Sequence, residues 1–189
     1  MNIENGILEA CIREDRRAQA TLYRKCFSLL MGVCIRYVKQ EADAVPLVNM
    51  GFLKILQNLE RKKANVPFEA WIRRIMINTI IDEFRKHRRY RETHQQTEFT
   101  DTDTFDSYTD LNEAALRMDA EALEALIQRL PTMSRQVFNL YAIDGYSHKE
   151  IADMLGMSDG TSKWHVAFAR KKLKQWLVES QKLSKTMSS

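Results

Sequence analysis

The sequence predicts an all-α protein made of two small helical domains joined by a flexible acidic linker. Apolar residues recur at intervals of three and four along most of the chain, which is the spacing that gives a helix one buried face. The 189 residues include only six Gly and three Pro, so few positions disfavour helix formation. Hydrophobic residues make up 44% of the sequence, and this content is sufficient to bury real cores.

Charge is distributed unevenly along the chain, and its pattern suggests where the domains begin and end. Residues 61–92 hold ten Lys and Arg against four Asp and Glu, whereas residues 93–116 hold six acidic residues and no Lys or Arg. The second stretch is also rich in Thr, Asp and Gln without helical periodicity, which is typical of a linker. We therefore expect a first domain over 1–92, an acidic linker over 93–115, a second domain over 116–180 and a disordered tail over 181–189.

Several protein classes are disfavoured by the same sequence. No stretch reaches the ~18 apolar residues of a membrane span, and the N-terminus lacks the pattern of a signal peptide. Cys11, Cys26 and Cys34 have no CxxC spacing, so neither disulfides nor a metal site is expected, and a reducing cytoplasm fits best. Because common nucleotide-binding, metalloprotease and serine hydrolase motifs are missing, we expect no enzyme activity, cofactor or small-molecule substrate.

The first domain is predicted to consist of successive helices. One or two long helices fit residues 7–39, and after a break over 40–46 a further helix follows with Pro46 in its first turn. A polar loop over 60–67 then leads into an amphipathic helix that begins near Phe68 and ends in the basic run RKHRRYR, residues 85–91.

The second domain contains the most informative segment, residues 146–173, because it has the spacing of a helix-turn-helix. Helices are expected over 134–143, 148–155 and 159–177, after others that end at Pro131. Gly156 would supply the tight turn and Ser158 the N-cap of the last helix. The buried face of that helix would be formed by small and aliphatic side chains, namely Val166, Ala169 and Leu173.

The other face of the last helix suits the major groove of duplex DNA. Its N-terminus and Thr161 can meet a phosphate, and Lys163 can reach a base edge or a phosphate. The candidate contacts with duplex DNA are Ser158, Gly160, Thr161, Lys163, Trp164, His165, Ala167, Arg170 and Lys171. A helical hairpin with a solvated basic face is the simpler alternative. Trp164 and Phe168 would meet a sugar, a thymine methyl group, the first domain or an inhibitor, and the residues leave these options open.

Two sets of motifs resemble the extracytoplasmic-function (ECF) sigma factors. The string LIQRLPTMSRQVFNLYAIDGYSHKEIADMLGMSDGTSKWHVAFARKKLKQWL closely resembles region four, including its G-T-x-K entry to the recognition helix. Upstream, residues 22–89 resemble region two, particularly in the pattern F-x-A-W-I-R-R-I-x-x-N-T-x-x-D-x-x-R. The two sets occur in the family's order and cover nearly all of the chain from Arg13 to Leu177.

The resemblance implies a division of work between the domains. Region two of such factors binds the clamp helices of the largest RNA polymerase subunit and opens the minus-ten element of a promoter. Region four grips the minus-thirty-five element as duplex and touches the polymerase flap. The linker of such factors occupies the RNA exit channel, although a solubilising spacer would look similar. The implied setting is the cytoplasm, in association with the nucleoid, and an anti-sigma factor is a further implied partner.

By the resemblance, the opened strand meets polar, cationic and aromatic side chains of the loop after residue 60 and of the helix that follows. These are Arg61, Lys62, Lys63, Asn65, Phe68, Trp71, Arg73, Arg74, Asn78, Arg85 and Arg88. The spacing of Phe68 and Trp71 is also typical of core residues, and a basic helix end is also typical of a solvated terminus.

The polymerase-binding residues implied by the resemblance lie on the helix before that loop: Asp43, Leu47, Asn49, Met50, Phe52, Leu53 and Leu56. Here the sequence departs from the family, because Val45, Pro46 and Met50 replace three expected carboxylates. The departure weakens the electrostatic part of polymerase binding. It motivates one alternative, a sigma-like adaptor with weakened polymerase binding. Another alternative is a dimeric helix-turn-helix regulator that reads duplex DNA alone.

Overall fold

The computed structural model describes residues 3–38, 40–92 and 120–187, with side chains described except at 88–92, 120–121 and 181–187. The chain divides into two compact units, residues 1–96 and 97–189. Within the described ranges all regular structure is helical, so the predicted all-α class is confirmed. The predicted linker over 93–115 lies outside the described residues.

Over residues 3–38 and 40–92, the first unit is a bundle of four helices and one short 3₁₀ turn. They are α1 (Asn5–Ile12), α2 (Arg16–Ile35), α3 (Glu41–Gln57), the 3₁₀ turn Leu59–Arg61 and α4 (Phe68–Glu92). Asp15 separates α1 from α2 as an N-cap, since its carboxylate accepts hydrogen bonds of 2.8 Å from the backbone N–H groups of Arg17 and Ala18. The core forms where α2, α3 and α4 pack together around fully buried Leu22, Leu30, Ile55, Ile72, Met76 and Ile80.

The predicted break over 40–46 was wrong, because α3 already begins at Glu41 and contains Pro46 as its sixth residue. Proline removes one intrahelical hydrogen bond and crowds the carbonyl four residues before it, which here is that of Ala42 in the first turn. A distortion so close to the helix end affects few bonds. Glu41 and Asp43 also lie in the first turn, where acidic side chains are favoured by the helix dipole.

The three cysteines belong to the core of the first unit. All three are buried free thiols. Burial raises the pKa of Cys26 to about 11 and that of Cys34 to about 12. Both thiols are therefore protonated and poorly nucleophilic at neutral pH, as expected for structural cysteines.

The second unit has four helices in the part that the structure describes. They are α5 (Ala120–Gln128), α6 (Thr132–Phe138), α7 (His148–Leu155) and α8 (Asp159–Met187), and a π-helical turn, Asn139–Ile143, continues α6. Leu126, Ile127 and Leu130 form one core cluster with Ala169, Leu173 and Leu177 of α8. Burial of Val166, Ala169 and Leu173 confirms the predicted inner face of α8.

The C-terminal region differs from the prediction of a disordered tail over 181–189. Helix α8 continues to Met187, and 188–189 lie outside the described residues. The segment after Leu177 contains no Gly or Pro and several strong helix formers, so nothing in it terminates the helix. Among the described helices, none is long and apolar enough to cross a membrane.

Helices α3 and α4 approach closely at Gly51. A Cβ atom placed on Gly51 would lie 2.5 Å from Sδ and 3.0 Å from Cε of Met76, which is itself fully buried. Gly32 on α2 provides a contrast, because a Cβ atom there would have nothing within 4 Å. The same substitution should therefore have opposite effects at these two helical positions.

We expect Gly51→Ala to lower the free energy of unfolding by about 1–3 kcal/mol, since the added methyl group overpacks the core against Met76. Gly32→Ala should raise it by about 0.5–1 kcal/mol, since alanine loses less backbone entropy in an open helical position. Urea unfolding of the full chain, followed by far-UV circular dichroism, measures both changes. Stabilisation by both substitutions would contradict the close approach of α3 and α4.

Candidate nucleic-acid interface

The turn between α7 and α8 is built from local hydrogen bonds that confirm the predicted helix-turn-helix. Ser147 and Glu150 form a capping box at the start of α7. Gly156 ends that helix in the left-handed conformation, with φ 64° and ψ 48°, where glycine is favoured. Ser158 caps α8 as predicted, because its hydroxyl accepts a hydrogen bond of 2.9 Å from the backbone N–H of Thr161.

Two hydrogen-bonded pairs of serine and histidine, one buried and one partly buried, connect α8 to the helices beneath it. Oγ of Ser134 on α6 lies 3.0 Å from Nδ1 of His165, and Oγ of Ser162 lies 3.0 Å from Nδ1 of His148 on α7. Ser162 and His165 are 0% and 6% exposed. Buried polar groups are costly without such partners, so the two Ser–His pairs favour one rotation of α8 about its axis.

The prediction that His165 lies on the outer surface of α8 was therefore wrong. Its ring faces α6, where Ser134 supplies the hydrogen-bonding partner that makes burial of an imidazole tolerable. Ser162 also faces inward, where His148 of α7 is its hydrogen-bonding partner. The pairing of Ser134 with His165 spans 31 positions in the chain, and no local period of the sequence predicts it.

His148, a member of the second pair, lies in a half-buried cluster. Its ring stacks on Tyr141, with centroids 4.3 Å apart and planes inclined by 16°. The guanidinium carbon of Arg170 lies 5.7 Å from the centroid of the same tyrosine. Burial lowers the pKa of His148, and the nearby cations Lys163 and Arg170 lower it further. The carboxylate of Asp159 opposes this shift. The neutral imidazole is therefore favoured at this position near neutral pH.

The outward face of α8 combines a pair of aromatic rings with cations. Rings of Trp164 and Phe168 stack with centroids 5.3 Å apart and planes inclined by 16°, and both side chains are half-buried. Lys171 is exposed, and Lys163, also exposed, forms an ion pair of 2.6 Å with Asp159. Of the remaining candidates, Ser158 and Gly160 are exposed, and Thr161, Ala167 and Arg170 are half-buried.

The sequence also predicts Lys174 on or near the outer surface of this helix. Lys174 lies one helical turn beyond Lys171 and is exposed, as predicted.

The first unit presents a basic loop and the outer face of α4. Arg61, Lys63 and Asn65 are exposed, and Lys62 is half-buried with its ammonium group 3.2 Å from the carbonyl oxygen of Lys63. Phe68 and Trp71 are half-buried, with ring centroids 5.8 Å apart. Neither ring is sealed in the core, so each retains an accessible edge next to the basic loop.

Helical geometry divides the candidate residues of α4 between two sides. At about 100° per residue, Trp71, Arg74, Asn78 and Arg85 fall within about 60° of one another around the axis. Arg73 is about 200° from Trp71. Arg74, Asn78 and Arg85 are all exposed. The side chain of Arg73 is exposed as well, but on the other side of α4, and its contact with an opened strand stays a prediction. The side chain of Arg88 lies outside the described residues.

The outward face of α3 is apolar. Leu53 is 55% exposed and Pro46 is also exposed, while Leu47, Met50 and Leu56 are half-buried. Asp43 is exposed near the start of the helix, and the exposed Asn49 accepts a hydrogen bond of 2.7 Å from the Tyr23 hydroxyl group.

Phe52 does not belong to this surface. It is 8% exposed and packs edge-on against Tyr23, with ring centroids 5.0 Å apart, so its prediction as a polymerase contact was wrong. It lies about 180° around α3 from Asp43, on the side that packs against α2 and α4. The outward surface of α3 is therefore smaller than the sequence suggested and is centred on Met50 and Leu53.

Comparison with known proteins gives two family matches that follow the division into units. The model of Sigma-70 region 2 matches residues 22–90, and that of Sigma-70, region 4 matches residues 120–173. RNA polymerase sigma factor SigZ of Bacillus subtilis is 31% identical over 140 residues, covering 74% of this chain and 76% of SigZ.

Two further relatives differ in how much of their own length is matched. The ECF RNA polymerase sigma-E factor of Haemophilus influenzae is 23% identical over 174 residues, which cover 88% of this chain and 91% of that factor. The probable RNA polymerase sigma factor RfaY of Xanthomonas campestris is 24% identical over 166 residues, covering 87% of this chain but only 41% of RfaY. With both sigma regions in order and a helix-turn-helix in the second, the chain belongs to the ECF group of sigma-70 factors, which direct promoter-specific initiation of transcription by RNA polymerase.

Proposed function

We propose that the first unit binds core RNA polymerase and opens the minus-ten element, while the second unit reads the minus-thirty-five element as duplex. The observation that carries this proposal is the presence of two different cationic surfaces on one chain. One is a loop with exposed Arg61, Lys63 and Asn65 beside accessible aromatic rings, and the other is the outward face of a helix-turn-helix. The chain contributes binding surfaces, and the polymerase supplies the chemistry.

The surface of the first unit suits an unpaired strand. Single-stranded DNA is held by aromatic rings on which bases stack and by cations along the backbone. Phe68 and Trp71 lie beside the basic loop, and Arg74, Asn78 and Arg85 continue from Trp71 along one side of α4. An amide such as Asn78 can both donate and accept hydrogen bonds with the edge of an extruded base.

Polymerase binding would depend more on apolar packing than in relatives that carry carboxylates on α3. Met50 and Leu53 occupy the centre of its outward face, and Asp43 remains as an exposed carboxylate at one end. Apolar burial is a source of affinity, whereas complementary charge chiefly accelerates association. The replacements at Val45, Pro46 and Met50 therefore favour slower association that is less sensitive to salt.

The acidic segment and the exposed surfaces also bear on the regulation and the location of the protein. The acidic segment 93–115 has the charge to occupy a positive channel of the polymerase. An anti-sigma factor that covers the surfaces described above would block both polymerase and promoter. The protein would act in the cytoplasm at the nucleoid, where the polymerase and its promoters are located.

Replacement of Arg74 by alanine should reduce initiation from a fully paired promoter about tenfold, the usual loss for one charge-assisted contact. Initiation from a promoter already unpaired at the minus-ten element should fall much less, since that template needs no strand opening. Single-round transcription with the reconstituted holoenzyme measures both. Arg73→Ala is the matched control, because the same change on the other side of α4 should leave both templates unaffected. Equal losses in the two variants would contradict this strand path.

Leu53→Asp should weaken binding to core polymerase by at least about tenfold, since a carboxylate replaces an apolar side chain at the centre of the interface. Ile12→Asp is the control: it makes the same kind of change at an exposed apolar residue of α1, where Ile12 is 38% exposed. Affinity is measured by titrating labelled core polymerase. Unchanged affinity of the Leu53 variant would contradict the outward face of α3 as the polymerase-binding surface, and failure of the wild type to bind would favour the duplex-reading regulator that works without polymerase.

A further inference from the structure

We propose that Trp164 selects a thymine in the minus-thirty-five element by packing against the C5 methyl group of that base in the major groove. This inference deepens the proposed function and rests on it. It assigns a specificity-determining role to an aromatic side chain on the outward face of α8. The proposal depends on where α8 places Trp164, how the ring is held and which of its atoms face outward.

The rotation of α8 places Trp164 on the side that faces away from the core. The two Ser–His pairs hold Ser162 and His165 inward, together with buried Ala169 and Leu173. At about 100° per residue, Trp164 lies about 140° from Ala169 and about 180° from Leu173 around the axis. It therefore shares the outward face with Gly160, Ala167 and Lys171, which are one or two turns away.

The indole ring is held in one orientation by its neighbours. One contact is the nearly parallel stack on Phe168, and the other is an edge-on contact with His165 at a centroid distance of 4.9 Å. His165 is fixed in turn by Ser134. A side chain that is already ordered loses little conformational entropy when it contacts DNA.

The part of the ring that remains accessible is apolar. Trp164 is half-buried, and its Nε1 atom is among the buried part. The accessible surface therefore consists of carbon atoms and cannot read the donors and acceptors that distinguish most base edges. The thymine methyl is the apolar group that a base pair presents in the major groove, so it is the group such a surface can recognise.

The charges around Trp164 favour DNA over a protein partner for this face. At about 100° per residue, exposed Lys171, Lys174 and Lys163 lie about 20°, 80° and 100° to one side of Trp164 around the axis, with half-buried Arg170 at about 120° on that same side. A major groove is bordered by phosphate backbones, so cations to one side of an apolar contact match the charge of the backbone next to it. A hydrophobic partner face would instead offer these cations no complementary charge.

The test uses the full chain in holoenzyme with core polymerase. A library randomised across the minus-thirty-five element first identifies preferred promoters. Each selected thymine is then replaced by deoxyuridine, which lacks only the methyl group. For the wild type, replacement at one position should weaken binding about fourfold, the effect of burying one methyl-sized group. For Trp164→Ala, thymine and deoxyuridine should bind equally at that position.

Two further variants separate this role from folding and from general DNA affinity. Trp164→Lys should lose the thymine preference and gain one for guanine, which a folding defect would not produce. Lys163→Ala should bind all promoters more weakly but keep the fourfold ratio of affinities for thymine and deoxyuridine, because Lys163 would contact charge and not the methyl group.

The outcomes distinguish the inference from the function on which it rests. If the wild-type holoenzyme initiates from selected promoters without any effect of methyl removal, or if Trp164→Ala keeps the effect, the role of Trp164 is overturned and the proposed function stands. If no promoter in the library supports initiation by the wild type, the proposed function fails, and the inference fails with it.

Discussion

The rotation of α8 about its own axis is the constraint on which the DNA-reading surface depends. A change of one residue in register would turn the helix by about 100° and replace every outward side chain. Aliphatic packing of Val166, Ala169 and Leu173 tolerates modest rotation, whereas hydrogen bonds require particular distances and angles. The pairs Ser134–His165 and His148–Ser162 therefore add directional specificity to a core that is otherwise held by non-directional contacts.

The parts of the fold that could be predicted from the sequence are those determined by neighbouring residues. Gly156 and Ser158 specify the turn and cap through their own backbone and hydroxyl chemistry, so the predicted helix-turn-helix is confirmed. His165 could not be placed in this way, because an imidazole is tolerated both on a surface and in a core. Its burial depends on Ser134, a residue on another helix, and a helical period contains no information about such a partner.

The errors in the first unit have related causes. Phe52 is an apolar residue on a helix with apolar residues on several sides, so its burial follows from the position of Tyr23 on α2. The resemblance implies strand contacts for both Arg73 and Arg74, although neighbouring residues on a helix point in directions about 100° apart. Because proline is favoured at a helix start, the sequence predicts that Pro46 opens the helix. The structure places Pro46 one turn after the helix start. The hydrogen bond that proline removes and the carbonyl that it crowds therefore lie in the first turn of α3.

The ion pair between Lys163 and Asp159 has a thermodynamic consequence for the binding of non-promoter DNA. Asp159 is the first residue of α8, so a carboxylate stands at the helix end that would approach phosphates in the proposed complex with DNA. A phosphate at this end is repelled by that carboxylate and must compete for a lysine that already has a counter-ion. Duplex DNA of arbitrary sequence therefore gains less binding free energy from Lys163 than it would from a lysine without a neighbouring carboxylate. Discrimination among promoters improves as a result, because the attraction common to all sequences is reduced while the contacts with particular bases are not.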